Sequence, residues 1–157
     1  MVRFTSALLV IIIRLSSLKI MSLNLEKAVP LKEGTDVTII STGTETSRAL
    51  EAAEKLETDG VSAAVLHMPT IKPLDKEAII KAAQKTGVIV TAEEHSIYGG
   101  LGSAVAEVLV EEAPVPMQRV GVKDRNSESA GNNELLEKYE VSAGHIVKAA
   151  KNVLVRK

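Results

Sequence analysis

The chain has 157 residues, 45% of them hydrophobic, and a formal net charge of −1 at neutral pH. That is enough for one domain with its own core, and the near balance of charge points neither to nucleic acid nor to an acidic disordered tail. Cysteine and tryptophan are absent and Phe4 is the only phenylalanine, which excludes disulfides, thiol nucleophiles and Cys-based metal sites and leaves an aliphatic core.

The opening stretch, MVRFTSALLVIIIRLSSLKIM, joins a basic start to an apolar run from Ala7 to Ile13. A secretory signal has a similar outline, with an apolar region of about 7–15 residues. No small-x-small cleavage site follows, however, and Arg14 and Lys19 close the run. It also falls short of the ~20 apolar residues of a membrane span. The stretch therefore reads as a strand, a disordered extension or a misassigned start, with Met21 as an alternative start; a signal or anchor is the competing reading. Residues 1–28 are set apart as an N-terminal extension and residues 29–157 as one α/β domain.

Val29 to Leu31 add an edge segment. DVTIISTG, from Asp36, is a short β-rich run ending in a glycine turn. In ETSRALEAAEKLETDG, Ala49, Ala52, Ala53 and Leu56 share one helical face, and Gly60 stops the helix. VSAAVLHMP is the next strand, and Pro69 and Pro73 bracket the loop after it. Asp75 caps a helix over KEAIIKAAQKTG, with Ile79, Ala82 and Ala83 inward and Gly87 as terminator. VIVTAEE is the most apolar strand and is expected at the sheet centre. Leu101, Val105, Val108 and Leu109 then recur at helical spacing, with Pro114 beyond. PMQRVGV is a further strand, DRNSESAGNN a polar loop and ELLEKY a short helix. Ser142 caps a last helix with Ile146, Ala149, Ala150 and Val153 on its stripe. Strands alternating with helices of this length imply βαβ units and a mainly parallel sheet covered on both faces.

The chemistry-bearing residues concentrate in EEHSIYGGLGSAVAEVL, from Glu93 to Leu109. Gly100 and Gly102 supply G-x-G, but the third fingerprint position is Val105, and no P-loop Gly-Lys-Ser/Thr exists. Gly99, Gly100 and Gly102 either let the chain turn tightly, at positive φ, and approach a strand or another subunit closely, or open an anion site at a helix N-terminus. Glu93, Glu94 and His95, at a strand's C-terminal end, form either an acid–base group or a polar cluster that caps the next helix or crosses an interface. Alternation sends Glu93 and Glu94 to opposite faces. In STGTETS, Thr44 or Thr46 caps the first helix or helps to hold a small anion on free backbone N–H groups. His67 and His145 stand alone as structural or surface histidines, since no metal-ligand spacing links them to His95. No G-x-S-x-G elbow supports hydrolase chemistry. Glu93, Glu94, His95, Gly99, Gly100, Gly102, Thr44 and Thr46 are thus candidate interface or anion-site residues, and no catalytic, cofactor or metal residue is assigned.

DVTIISTGTETSRALEAAEKLETDGVSAAVLHMPTIKPLDKEAI, TAEEHSIYGGLGSAVAEVL and ELLEKYEVSAGHIVKAAK together resemble the C-terminal domain of transketolase, over about Leu31 to Lys151. MPTIKPLD and EEHSIYGGLGSAVAE are the most specific parts. The wider family includes 1-deoxyxylulose-5-phosphate synthase and the β subunits of 2-oxo acid dehydrogenases, and HSIYGGLGSAV is more similar to transketolase than to either. The resemblance implies a three-layer α/β/α domain with a five-stranded, mostly parallel sheet whose first strand is antiparallel. It also implies that thiamine diphosphate and magnesium belong to two preceding domains of a complete enzyme. The diphosphate motif, the activating glutamate and the substrate-phosphate ligands of those domains are not in this sequence, so no cofactor is expected on this chain alone. One loop departs from the family pattern D-R-F-G-E-S-G: Asp124 to Ala130 replace its aromatic residue and both glycines.

On this resemblance the chain is expected to be cytoplasmic and inactive alone. Its expected partner is a transketolase chain carrying the diphosphate- and pyrimidine-binding domains, a second copy in a homodimer, or both, with no nucleic acid or membrane partner. Two-carbon ketol transfer between sugar phosphates, within the pentose phosphate pathway, is then the activity of the assembly. The competing class is a stand-alone α/β module that binds a small anion or nucleotide at the strand C-termini.

Overall fold

The structure, a computed structural model, describes residues 26–126 and 128–157. The apolar run from Ala7 to Ile13, the alternative start at Met21 and the rest of the expected extension up to residue 25 lie outside the described residues.

Among the described residues ten elements follow one another: β1 (Val29–Lys32), β2 (Val37–Ser41), α1 (Glu45–Thr58), β3 (Ala63–His67), α2 (Lys76–Thr86), β4 (Ile89–Ser96), α3 (Leu101–Glu112), β5 (Met117–Val122), α4 (Asn132–Lys138) and α5 (Ala143–Leu154). The five strands make one sheet in the order β1-β3-β2-β4-β5. β1 runs antiparallel to β3, and the other pairs are parallel. The central strand is β2, buried along its whole length, not the VIVTAEE strand expected there. That strand, β4, lies next to it, between β2 and β5. Both are interior strands buried on two faces, so apolar content alone does not separate them.

Strand alternation sorts the core into two layers. Ile39, Val65 and Val90 face one side and join Ala49, Ala53 and Leu56 of α1 and Ile146, Ala150 and Val153 of α5. Ile40 and Ile89 face the other side and join Ile79 and Ala83 of α2 and Leu101, Val105 and Leu109 of α3. Each valine, leucine or isoleucine among them contributes roughly 1.5–3 kcal/mol on burial, and small alanines let α1 and α5 pack closely. Helix ends follow local chemistry at α2: the Asp75 carboxylate accepts the Ala78 N–H at 3.3 Å, and Gly87 closes the helix in the left-handed conformation. Thr44 and Ser142 occupy the N-cap positions of α1 and α5, but neither side chain makes the capping bond expected of it. The Ser142 hydroxyl lies instead 2.8 Å from His145 Nδ1.

The order of the strands places a reversal of winding at the centre of the sheet. From β2 the chain moves outward to β3 by way of α1, whereas from β4 it moves the opposite way to β5, by way of α3 on the other face. The C-terminal ends of β2 and β4 therefore lie side by side where the winding reverses, the position at which open α/β sheets present functional groups.

Candidate functional site

Glu93 and Glu94 diverge as alternation requires: Glu93 is buried at 1% exposure, and Glu94 is exposed. The β4–β5 register breaks between Ala92 and Ser96, and the irregular stretch seats the Glu93 side chain over Gly121, where a Cβ would come within 3.1 Å of Glu93 Cγ. Its carboxylate then reaches the start of α3. Glu93 Oε2 accepts the Leu101 N–H and Oε1 the Gly102 N–H, both at 2.8 Å. These are two of the four amides that a helix start leaves unpaired, and the negative charge meets the positive end of the helix dipole.

The glycines make this approach possible by their size. A Cβ on Gly100 would fall 2.0 Å from Glu93 Oε2 and 2.7 Å from the Ser96 carbonyl oxygen, and one on Gly102 would fall 2.8 Å from Arg119 Cδ. Neither residue has positive φ; Gly100 is extended at φ −92°. The left-handed residue of the turn is Gly99, at φ +75°. The rest of the turn is tied by Ser103 Oγ, which accepts the Gly99 N–H at 3.0 Å and donates to the Ile97 carbonyl at 2.9 Å. Arg119 Nη1 donates to the same carbonyl at 2.8 Å. An anion arriving at the start of α3 would thus meet a carboxylate already bonded to its first amides.

Glu94 points to the other face, toward α1. It accepts from Thr44 Oγ1 and from Arg48 Nη1 at 3.2 Å. The same Arg48 nitrogen donates to Glu45 Oε1 at 2.7 Å. Glu45 is fully enclosed, and its Oε2 has no hydrogen-bond partner among the described residues. Burial pushes its carboxyl up to about 7, with Arg48 pulling it down and Glu94 adding to the rise. Thr46 does not cap α1 either: its hydroxyl accepts from Ser41 Oγ at 3.1 Å and lies 2.8 Å from His67 Nδ1. Burial pushes His67 below its ordinary value.

The structure therefore splits the candidate residues into two groups. Glu93, Gly99, Gly100 and Gly102 build the start of α3. Glu94, Thr44 and Thr46 join a network on α1 whose other members, Ser41, Glu45, Arg48 and His67, were not assigned to the site from sequence. His95 is exposed at the end of β4 beyond both groups. No local motif marks Glu45, because a glutamate in a first helical turn ordinarily faces solvent.

A magnesium-bound diphosphate needs several convergent oxygen ligands in near-octahedral array. Among the described residues no group of three or more His, Asp or Glu side chains is placed to hold a metal ion. The rim carboxylates are turned to opposite faces and engaged with a helix start and an arginine. These residues do not fit such a group. Nor is any described helix long and apolar enough to cross a membrane.

Residues 26–146 match the family model for the transketolase C-terminal domain. The chain is 50% identical over 133 residues to 6-deoxy-6-sulfo-D-fructose transketolase subunit SqwH of Clostridium sp. (strain MSTE9), covering 85% of this chain and 41% of that protein. It is 44% identical over 126 residues to an apulose-4-phosphate transketolase subunit from Phocaeicola vulgatus, covering 80% of this chain and 40% of that protein. A solved structure described as a split gene transketolase, inactive beta4 tetramer, superposes with a TM-score of 0.83 at 48% identity, over 86% of this chain and 44% of that one. Transketolase from Leishmania mexicana shares the fold, with a TM-score of 0.64 at 18% identity, over 84% of this chain and 18% of that one. The chain spans about two fifths of the length of the two subunits. By its sequence, its sheet order and these matches, the chain belongs to the family of transketolase C-terminal domains.

Proposed function

We propose that this chain is the C-terminal part of a transketolase and works by assembly with a chain that carries the diphosphate- and pyrimidine-binding domains. The observation that carries the reading is its 50% identity to a protein named as a transketolase subunit, of which it covers only 41%. The assembly transfers a two-carbon ketol unit between sugar phosphates. Thiamine diphosphate, held with magnesium by the other domains, supplies the carbon–carbon bond chemistry when bound. This chain contributes a rigid α/β scaffold, and its rim carboxylates serve its own helices. A stand-alone anion- or nucleotide-binding module has less support, because Glu93 occupies the amides at the start of α3.

The pure chain, given thiamine diphosphate, magnesium, a ketose-phosphate donor and an aldose acceptor, is expected to show no turnover above a heat-killed control. Addition of a chain from the same cell with the preceding two domains is expected to give turnover and co-elution. Turnover by the chain alone, or failure to associate with every such chain, would overturn the reading.

A further inference from the structure

We propose that Glu45, Arg48 and Glu94 form a proton-operated latch at the C-terminal rim, in which Arg48 is shared by both carboxylates when Glu45 is ionised and turns to Glu94 when Glu45 is neutral. The geometry has three parts. One guanidinium nitrogen of Arg48, which carries two N–H groups, reaches Glu45 Oε1 at 2.7 Å and Glu94 Oε2 at 3.2 Å, so one cation links carboxylates on two different elements. Glu45 is enclosed, with one oxygen lacking a partner among the described residues. A buried carboxylate in that state is poorly compensated, because ionisation favours it only where solvent or donors replace the lost hydration. Glu94 and Arg48 are different: their side chains are 41% and 15% exposed, so the outer half of the bridge can rearrange in water.

The charged surroundings of Glu45 are few. Its own helix supplies Arg48, and β4 supplies Glu94. From β3, His67 touches Thr46, the next residue in α1, and burial disfavours its charged form. Ser41 of β2 is uncharged. Glu93, also on β4, is turned to the opposite face and bonded to α3. α5 packs on α1 through Ile146, Ala149, Ala150 and Val153, and its Lys151 pairs with Asp59 at the far end of α1. Arg48 is thus the cation that responds when Glu45 changes charge. The carboxyl is raised to about 7, which puts the change near neutral pH. Below that pH, Arg48 neutralises Glu94 and the trio carries no net charge. Above it, two carboxylates share one cation and the rim gains a negative charge beside Thr44.

Side-chain NMR of the full chain, titrated from about one unit below the ordinary glutamate value of 4.5 into the alkaline range, tests the latch. The Glu45 carboxyl carbon is expected to titrate with a midpoint near 7, and the Arg48 guanidinium resonances to move with the same midpoint. In Glu45→Gln the Arg48 movement should vanish. In Glu94→Gln the Glu45 titration should persist at a lower midpoint, while Arg48 stays on Glu45. A Glu45 midpoint near its ordinary 4.5, an Arg48 signal that stays fixed while Glu45 titrates, or an Arg48 shift that survives in Glu45→Gln would each overturn the proposal. The first two outcomes are read from the unmodified chain and need no variant to fold.

Discussion

Two glutamates are enclosed at the same end of this sheet, each beside the start of a helix, and their carboxylates are treated differently. Glu93 is met by two backbone N–H groups of α3, both at 2.8 Å. Glu45 is met by one arginine nitrogen, which also serves Glu94, and among the described residues its other oxygen has no partner. The amides around Glu93 are fixed by a helix that forms in any case, so they require no side-chain ordering. The guanidinium at Glu45 is carried on a long side chain that must be held in place. Burial of a carboxylate is therefore structural at one site and conditional at the other.

The largest expected effect comes from removing the fixed site. Glu93→Ala leaves two buried amides without an acceptor and opens a cavity over Gly121, and should cost about 3–5 kcal/mol. Urea denaturation of the variant measures this, and a loss below about 1 kcal/mol would show that water can replace the carboxylate. Gly100→Ala attacks the same arrangement from the other side. Its new Cβ would lie 2.0 Å from Glu93 Oε2 and 2.7 Å from the Ser96 oxygen, so the carboxylate must leave its amides or α3 must shift, at about 2–3 kcal/mol. Gly102→Ala meets the side chains of Arg119 at 2.8 Å and of buried Thr91 at 2.9 Å but no backbone atom or Glu93 oxygen, so its loss should be the smaller of the two. The reverse order would mean that the Arg119–Ile97 bond, rather than Glu93, holds the turn.

At the conditional site the sign reverses. Glu45 has its folded value raised from 4.5 to about 7. Its stabilising contribution is therefore fully present below pH 4.5 and is lost as pH rises through 7. The unmodified chain should melt lower at pH 8 than at pH 5.5. Glu45→Gln, which removes the ionisation and keeps the shape, should be more stable than the unmodified chain at pH 8 by about 1–2 kcal/mol, or roughly 3–6 °C. At pH 5.5 the gain should be much smaller. An equal effect at both pH values would mean that the substitution acts through packing and not through charge.

The difference between the two sites also marks where sequence reading stops. The strand and helix order followed from period and punctuation. The divergence of Glu93 from Glu94 followed from strand alternation. The closeness of Gly100 and Gly102 to a neighbouring element was legible because glycines at a strand-to-helix turn are commonly there for their size. What the sequence could not carry was which atoms meet. Thr44 and Thr46 stand where capping residues stand, yet their hydroxyls go to Glu94, Ser41 and His67, partners supplied by strands up to 50 residues away in the chain. Glu45 looks like any acidic residue of a first helical turn. Only the packing of α1 against the sheet encloses it, and a tertiary contact of that kind leaves no period or motif.

The smallest expected effects test whether the loops themselves differ between the two regions. Gly43, before α1, and Gly99, before α3, both have positive φ, at +57° and +75°. At neither position would a Cβ meet anything within 4 Å. Alanine at either site should therefore cost only the backbone penalty of a left-handed L-residue, about 1 kcal/mol. Asparagine should cost less than alanine, because its short polar side chain bonds locally in that conformation. Neither change touches a carboxylate, so neither should alter the pH dependence of melting. Equal small losses at Gly43 and Gly99 would place the whole contrast between the regions in how Glu45 and Glu93 are satisfied. A markedly larger loss at Gly43, or a pH profile that flattens in Gly43→Ala, would mean that the loop before α1 helps to hold Arg48 between its two carboxylates.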